Sequence, residues 1–201
     1  MSEKWEEAQR HEKEYIEKKE ARVWQVPYSR EYWRNFMHIT DTGKALEVGC
    51  GNNGLYNFDP DVTGLDPIQF NKPRFVRGMG EDLHFPDKSF SYSLFCNGID
   101  HSREPEKVIK EMLRVSNKAI FWVYGYPKWV AAVLSKIDKT HPYHFTKLEL
   151  RNLFGQYNIC FFDTYDPIRH INYTNSIIEK IKVFLMSIFG VVGYIYHIKE
   201  A

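Results

Sequence analysis

Short apolar stretches alternate with amphipathic stretches from residue 44 onward, which is the pattern of an α/β protein. Strands are predicted at residues 44–49, 61–66, 91–97, 119–124, 158–163 and 192–198. The stretch at 119–124 is apolar throughout, as expected of a strand covered on both faces. This order predicts a Rossmann-like fold, with a mostly parallel sheet, helices on both faces and an antiparallel last strand.

Local signals predict two helices between these strands. The first begins at Pro105, because proline is tolerated in the first turn of a helix. Apolar residues follow it at helical spacing, namely Val108, Ile109, Met112, Leu113 and Val115. The second helix begins after Thr146, which forms a capping-box pattern with Glu149, and is predicted to continue through Leu153.

The N-terminal residues have a different composition. Residues 2–22 are mostly Glu, Lys and Arg with sparse apolar positions, which predicts a solvated helix that contacts the body along a narrow stripe. Residues 24–39 add aromatic residues that we expect to pack over the mouth of a site, namely Trp24, Tyr28, Tyr32, Trp33 and Phe36. No repeat or linker divides the chain. A single domain over 1–201 is therefore predicted, with 1–40 as a helical cover and 41–201 as the Rossmann-like core.

A long uncharged stretch near the C-terminus raises the question of membrane contact. Residues 183–196 carry no formal charge, but this length is short of the roughly 20 residues of a spanning helix. Gly190 and Gly193 also interrupt it. The stretch predicts a buried helix that leads into a final core strand. The alternative is an interfacial segment that serves a lipid-like substrate.

Composition and charge narrow the function further. Apolar residues make up 43% and charged residues 26%, which is typical of a globular protein. The formal net charge of +1 provides no excess of basic residues that would favour binding to nucleic acid. The three cysteines are odd in number and lack the spacing of metal ligands. The first residues are charged and do not form the apolar core of a secretory signal. A cytoplasmic location with free thiols is expected.

A glycine loop and an acidic residue point to a nucleoside ligand. The first predicted strand runs into the loop 47–54, which contains Gly49, Gly51 and Gly54. Glycines there allow a tight turn and a close approach of the backbone to a ligand, and such loops lie where open α/β sheets bind ligands. The second predicted strand ends at Asp66, whose carboxylate could accept hydrogen bonds from both ribose hydroxyls.

These features resemble a known family. The loop with its leading Glu47, the acid Asp66 and the run at 78–90 are, in this order, similar to the class I S-adenosylmethionine-dependent methyltransferases of the "methyltransferase type 11" kind. The resemblance spans roughly residues 44–124 and continues more weakly over 141–153. It implies S-adenosylmethionine as cofactor, with S-adenosylhomocysteine as product. The negative charge of Glu47 near the loop suits a cationic sulfonium better than a pyrophosphate.

The resemblance also implies ten cofactor-binding residues. They are Glu47, Gly49, Cys50, Gly51, Asp66, Pro67, Gly80, Glu81, Asp82 and Asn97. Glu47, Gly49 and Gly51 would line the methionine and ribose part of the cofactor. Asp66 would hold the ribose.

The adenine end departs from the family pattern. Gly80 and Glu81 would lie beside the adenine, and Asn97 would lie under the methionine. Relatives commonly have an acid for the adenine amino group where this chain has Met79. Backbone amides, with Glu81 or Asp82, would then recognise adenine. The connection between residues 54 and 62 is also too short for the usual full helix.

Candidate catalytic residues follow two of the predicted strands. Methyl transfer requires a nucleophile placed behind the methyl group, and a hydroxyl acceptor benefits from a general base. Asp100 and His101 follow the strand at 91–97, and His144 follows the strand at 119–124. Histidine titrates near physiological pH, so these residues are the base candidates. His141 and His144 with one acid are too few ligands to predict a metal site.

The sequence thus predicts a methyltransferase that acts on a small molecule, such as a hydroxylated, sugar or lipid-like acceptor. The alternative is a non-catalytic adenosylmethionine-binding module that contacts a partner protein through exposed Trp5, Trp24 and Trp33. Nucleic-acid methylation is not expected, because residues 97–100 lack the stacking motif for a flipped base. The oligomeric state and the identity of the acceptor do not follow from the sequence.

Overall fold

Within the residues that the structure describes, the sheet contains seven strands in the order β3-β2-β1-β4-β5-β7-β6. The computed structural model describes residues 2–19, 29–52, 54–166 and 177–200. The strands are β1 (Ala45–Val48), β2 (Val62–Asp66), β3 (Phe75–Arg77), β4 (Tyr92–Cys96), β5 (Ala119–Gly125), β6 (Asn158–Tyr165) and β7 (Val192–Lys199). The short, half-exposed β3 escaped prediction because three residues carry no periodic pattern.

The strand directions confirm the predicted fold class. β1 pairs in parallel with both β2 and β4, and β5 pairs in parallel with β4. β7 runs antiparallel to its neighbours β5 and β6. The carboxyl ends of β1, β2, β4 and β5 therefore meet at one edge of the sheet, where ligands bind in open α/β folds.

Helices cover both faces of this sheet. They are α1 (Ser2–Lys19), α2 (Arg30–Phe36), α3 (Pro105–Val115), α4 (Lys128–Ile137), α5 (Lys147–Phe154) and α6 (Ile177–Ile188), with 3₁₀ turns at Leu55–Asn57 and Ile99–His101. Leu46 and Phe121 share one core with α3 and α5, whereas Ala45 and Ile120 share the other with α2. Side chains alternate between the faces because successive residues of a strand point in opposite directions. The predicted capping box is confirmed, with Thr146 and Glu149 bonding each other's backbone.

The predicted aromatic segment lies against the sheet. Among its described members, Trp33 is buried, and Phe36 packs edge-on against Trp122 and Tyr165 with ring centroids 5.0 and 5.3 Å away. Trp24 and Tyr28 lie outside the described residues. The segment therefore stabilises one face of the sheet, and the expectation that Trp33 is exposed for a partner is wrong.

The prediction of a buried helix near the C-terminus is also wrong. The strand β7 is buried as expected, but α6 has large exposed side chains, with Ile181 at 53% and Ile188 at 60% exposure. α4 exposes Trp129, and its ring lies 5.4 Å from that of Phe189. We call this apolar area the α4–α6 surface: Trp129, Val133, Ile137, Ile181, Phe184, Leu185, Ile188 and Phe189. Within the described ranges, no helix is long and apolar enough to cross a membrane.

Candidate cofactor and acceptor site

The loop after β1 turns through two glycines in the left-handed region, Gly49 at φ +60° and Gly51 at φ +53°. A Cβ atom on Gly49 would lie 2.2 Å from Cε2 of Phe95. A Cβ atom on Gly51 would meet nothing within 4 Å. Gly49 is therefore required by packing and backbone conformation, whereas Gly51 faces open space that a ligand could use.

Glu47 holds this loop from the protein interior. Its Oε1 accepts a hydrogen bond from the Leu55 amide (3.1 Å), and its Oε2 accepts one from the Tyr56 amide (2.9 Å). Burial raises the pKa of Glu47 to about 7, and these two hydrogen bonds only partly oppose that rise. The carboxyl group thus joins the end of β1 to the 3₁₀ turn that follows the glycine loop.

Asp66 lies at the end of β2, beside the same loop. Its Oδ2 accepts a hydrogen bond from the Gly51 amide (3.0 Å), and its Oδ1 accepts one from the Ile68 amide (2.9 Å). A carboxylate can accept about four hydrogen bonds, which is more than the two formed with these amides. The side chain is therefore fixed in place while it faces a ligand.

These elements surround a cavity of about 150 Å³. A water molecule needs only roughly 10–15 Å³ by this measure, so the cavity has space for a ligand. Eight of the predicted site residues line it: Gly49, Gly51, Asp66, Pro67, Gly80, Glu81, Asn97 and His101. Glu47, Cys50, Asp82, Asp100 and His144 are not part of its lining.

Two of the predicted cofactor residues have other surroundings. Cys50 is buried beside Gly64, where its Sγ lies 2.9 Å from the position of an added Cβ. Burial raises the pKa of this thiol, and the charge of Glu47 adds to the rise. Asp82 is largely exposed, and its Oδ2 lies 3.4 Å from Nε2 of His84.

Glu81 lines the cavity but also holds the start of α3. Its Oε1 accepts hydrogen bonds from the amides of Arg103 (2.7 Å) and Glu104 (3.2 Å). A carboxylate is favourable at this position because the N-terminus of a helix has unpaired N–H groups. Met79 also lines the cavity.

Asn97 lies at the opposite side of the glycine loop from Asp66, because β1 lies between β2 and β4. The residue adopts a positive φ of 49°. Its Oδ1 is buried and has no hydrogen-bond partner among the described residues. Buried acceptors are normally paired, so this oxygen identifies a place for a ligand donor.

The N-terminal helix covers the cavity in a way that the sequence did not specify. Trp5 and Gln9 of α1 line it. The Trp5 indole donates a hydrogen bond to the carbonyl of His101 (3.0 Å), and the Gln9 amide donates a weaker one (3.4 Å) to the same oxygen. Trp5 is half-buried, so its expected role as an exposed partner contact does not fit this position.

Behind His101 lies a cluster of imidazoles and carboxylates. The ring centroids of His101 and His141 are 4.2 Å apart, and His141 Nε2 lies 3.9 Å from Oδ2 of the buried Asp100. Oδ2 of Asp138, which sequence analysis missed, lies 2.7 Å from His141 Nδ1 and 3.1 Å from His144 Nε2. Burial of Asp138 acts to raise its pKa, but the hydrogen bonds from His141 and His144 outweigh it and hold the pKa well below the usual range.

The charges of the cavity lining indicate what it can bind. Asp66 and Glu81 are acidic, and the described lining contains no Lys or Arg. A phosphate group requires cationic or several amide donors, whereas a sulfonium or ammonium group is stabilised by nearby carboxylates. The cavity therefore suits a cationic nucleoside better than a dinucleotide.

Sequence comparisons with known proteins identify one matching family and one related enzyme. The family model "MetW: Methionine biosynthesis protein MetW" matches residues 76–184, just over half of the chain. Sterol 24-C-methyltransferase erg6 of Aspergillus fumigatus is 28% identical over 133 residues, which cover 56% of this chain and 34% of that protein. The match thus spans about a third of the length of that relative.

Solved methyltransferase structures have the same fold. Geranyl diphosphate C-methyltransferase of Streptomyces coelicolor, crystallised with Mg²⁺, geranyl diphosphate and S-adenosyl-L-homocysteine, superimposes with a TM-score of 0.67 at 12% identity, covering 85% of this chain and 77% of that one. A SAM-dependent methyltransferase of Thermotoga maritima gives 0.61 at 16% identity, covering 98% and 100%. The resemblance to class I methyltransferases is confirmed at the level of the fold.

Proposed function

This chain belongs to the family of the methionine biosynthesis protein MetW, and we propose that it is a methyltransferase that binds S-adenosylmethionine beside the glycine loop. The observation that carries the proposal is the acidic cavity at the carboxyl edge of the sheet. Asp66 would accept hydrogen bonds from the ribose hydroxyls, and the unpaired Oδ1 of Asn97 would accept one from the methionine ammonium group.

The remaining predicted residues would act at different distances from the cofactor. Gly49 and Gly51 would provide backbone against it, and Gly80, Glu81 and Pro67 would surround its base and ribose. Glu47, Cys50 and Asp82 would act indirectly, because other contacts hold their side chains. Among the predicted catalytic residues, His101 would lie nearest the acceptor because it lines the cavity, while Asp100 and His144 would lie farther from it.

A small lipid-like acceptor fits the apolar surroundings of the site best. α4 follows β5 and α6 precedes β7, so the start of α4 and the end of α6 lie toward the edge of the sheet that holds the cavity. Large exposed apolar areas commonly contact lipids, apolar ligands or other proteins. The two relatives are named for a sterol and for geranyl diphosphate, and both of these molecules carry a large hydrocarbon group, which supports a lipid-like acceptor here.

Production of S-adenosylhomocysteine tests the proposal. The purified chain is incubated with S-adenosylmethionine and separate pools of lipid, sugar and polar hydroxylated acceptors, with an Asp66→Ala variant as the matched control. We expect the lipid pool to yield product with the native chain, and at least tenfold less with the variant. Cofactor binding without turnover in any pool would instead favour the non-catalytic partner-binding module.

A further inference from the structure

We propose that Asp100, His101 and His141 bind a divalent transition-metal ion, with zinc as the type case, and that Asp138 orients His141 for this role. Each of the three ligands offers one donor atom, and these atoms all lie within 4.8 Å of one another. Zinc ligands at 2.0–2.1 Å would lie roughly 3.4 Å apart in tetrahedral geometry. The donor atoms thus exceed the separation expected around a bound ion by at most about 1.4 Å.

The buried carboxylate of Asp100 is the strongest indication that a cation binds here. Asp100 is only 3% exposed, and its Oδ1 has no hydrogen-bond partner within the described part of the chain. Its Oδ2 approaches His141 Nε2 at 3.9 Å, which is too long for a hydrogen bond. A buried carboxylate without compensating donors is costly, so a bound cation would satisfy a group that its neighbours leave unsatisfied.

His101 supplies a second unsatisfied atom at the same place. Its Nδ1 is buried and has no hydrogen-bond partner among the residues described. The ring packs 4.2 Å from that of His141, measured between centroids. Two imidazoles held this close together beside a carboxylate form the donor set that binds zinc and related ions.

Asp138 orients His141 in the way that supporting carboxylates orient metal-bound histidines. Its Oδ2 lies 2.7 Å from Nδ1 of His141, which is the distance of an N–H···O⁻ hydrogen bond. A proton on Nδ1 leaves the lone pair on Nε2, the atom that faces Asp100. Carboxylates bound to the outer nitrogen of a ligand histidine fix its tautomer and strengthen its binding.

Asp138, His141 and His144 form a second group of possible metal ligands. The hydrogen bonds of Asp138 distinguish this group from the proposed site. In that grouping, both imidazoles already contact the one oxygen of Asp138, at 2.7 and 3.1 Å. These groups therefore satisfy one another. Asp100 and His101 have no such compensation, so we place the ion with them and assign His144 a supporting position.

The site is not evident from the sequence because its ligands come together only in the folded chain. His141 and His144 are the only closely spaced pair in this part of the chain, and His101 is forty residues away. The 3₁₀ turn after β4 and the loop after α4 bring the ligands together. With three protein ligands, the ion would retain an open position beside the cavity that His101 lines.

Zinc titration of the full chain by calorimetry tests this site without any cofactor, so the result does not depend on the proposed function. The protein is first treated with a chelator and dialysed. We expect one ion per chain, and at least tenfold weaker binding in Asp100→Asn and His101→Ala. Asp138→Asn should weaken binding about 10- to 100-fold, as for other residues that orient a ligand. His84→Ala removes an exposed histidine that is also paired with an acid, and it should bind zinc like the native chain.

Three results of the titration would overturn the site. They are the absence of stoichiometric binding by the native chain, unchanged affinity in both Asp100→Asn and His101→Ala, and a loss in His144→Ala without a loss in His101→Ala. Cobalt substitution adds a spectroscopic check, since a thiolate-to-metal absorption band would place the ion on a cysteine instead. Thermal melting of each variant confirms that it is folded, and the near-isosteric Asp100→Asn keeps the test decisive if His101→Ala is unstable.

Discussion

The carboxylate of Asp66 accepts a hydrogen bond from the amide of Gly51, with 3.0 Å between Oδ2 and the nitrogen. This bond joins the end of β2 to the glycine loop that follows β1. The two groups expected to contact the ribose and the methionine therefore hold each other in position before any ligand binds. Such preorganisation lowers the cost of ordering the site on binding.

Gly51→Ala should affect the ligand more than the fold. An added Cβ meets no atom within 4 Å, so the expected loss of stability is about 1–2 kcal/mol from the positive φ alone. The methyl group would, however, project into the space proposed for the cofactor. We expect at least tenfold weaker binding of S-adenosylmethionine by calorimetry, with cooperative thermal unfolding retained.

Gly49→Ala provides the matched contrast to this substitution. Its Cβ would lie 2.2 Å from Phe95, so the core must shift to accommodate it. Overpacking costs roughly 1–3 kcal/mol, and the positive φ adds to this loss. Denaturant unfolding should show Gly49→Ala to be the less stable of the two variants. Equal stability of the two would refute the packing described around Phe95.

The pH dependence of stability should contain a contribution from Glu47. Its pKa rises from 4.5 to about 7 on folding, mainly through burial. A carboxyl group with a raised folded pKa binds a proton on folding, so its contribution to the free energy of unfolding is greatest below pH 4.5 and falls until pH 7. The expected decrease is about 3 kcal/mol. Glu47→Gln should lack it.

The native chain must be compared with Glu47→Gln because a second buried group, His197, changes the stability with pH in the opposite direction. His197 donates to the carbonyl of Met37 (2.8 Å), and burial lowers its pKa to about 4. Its contribution to stability is therefore lost as the pH falls from 6.5 toward 4. The native chain and Glu47→Gln share this effect. The unfolding free energy of the native chain minus that of Glu47→Gln, measured in urea, should decrease by about 3 kcal/mol between pH 4.5 and 7; a value that stays constant or increases would contradict the assignment.

The contact between Trp5 and His101 predicts that α1 retains the cofactor. Trp5→Ala removes both the covering ring and the hydrogen bond to the His101 carbonyl. We expect S-adenosylmethionine to dissociate several-fold faster in stopped-flow measurements. Trp129→Ala is the control, because this exposed tryptophan lies on the α4–α6 surface and does not line the cavity. Equal effects of the two substitutions would argue against a covering role.

Sequence patterns predicted most of the sheet because β1, β2, β4, β5 and β7 are largely buried and rich in apolar residues. Residues 119–124 were recognised as a strand with both faces covered, and Thr146 marked the start of a helix through local capping chemistry. Asp66 could be predicted as a site residue because it ends the apolar run of β2, and this position can be read from the sequence alone. These signals act over a few residues and do not depend on distant contacts.

The features that the sequence did not predict correctly depend on tertiary contacts or lack a clear helical or strand periodicity in their apolar residues. α4 is apolar on its exposed side as well as on its buried side, so its pattern does not identify a surface helix. α6 has the composition of a core helix but remains exposed, since apolar residues indicate a preference for burial without supplying a partner. Asp138 gained significance only when the fold placed it against His141.

Titration of S-adenosylmethionine into the native chain and an Asp66→Ala variant tests the central claim most directly. We predict one binding site in the native chain. Loss of the hydrogen bonds to a charged group should weaken binding by about 1.5–3 kcal/mol, or roughly 10- to 150-fold, in the variant. Absence of binding by the folded native chain, or equal affinity in folded Asp66→Ala, would contradict the assignment of this cavity to the cofactor.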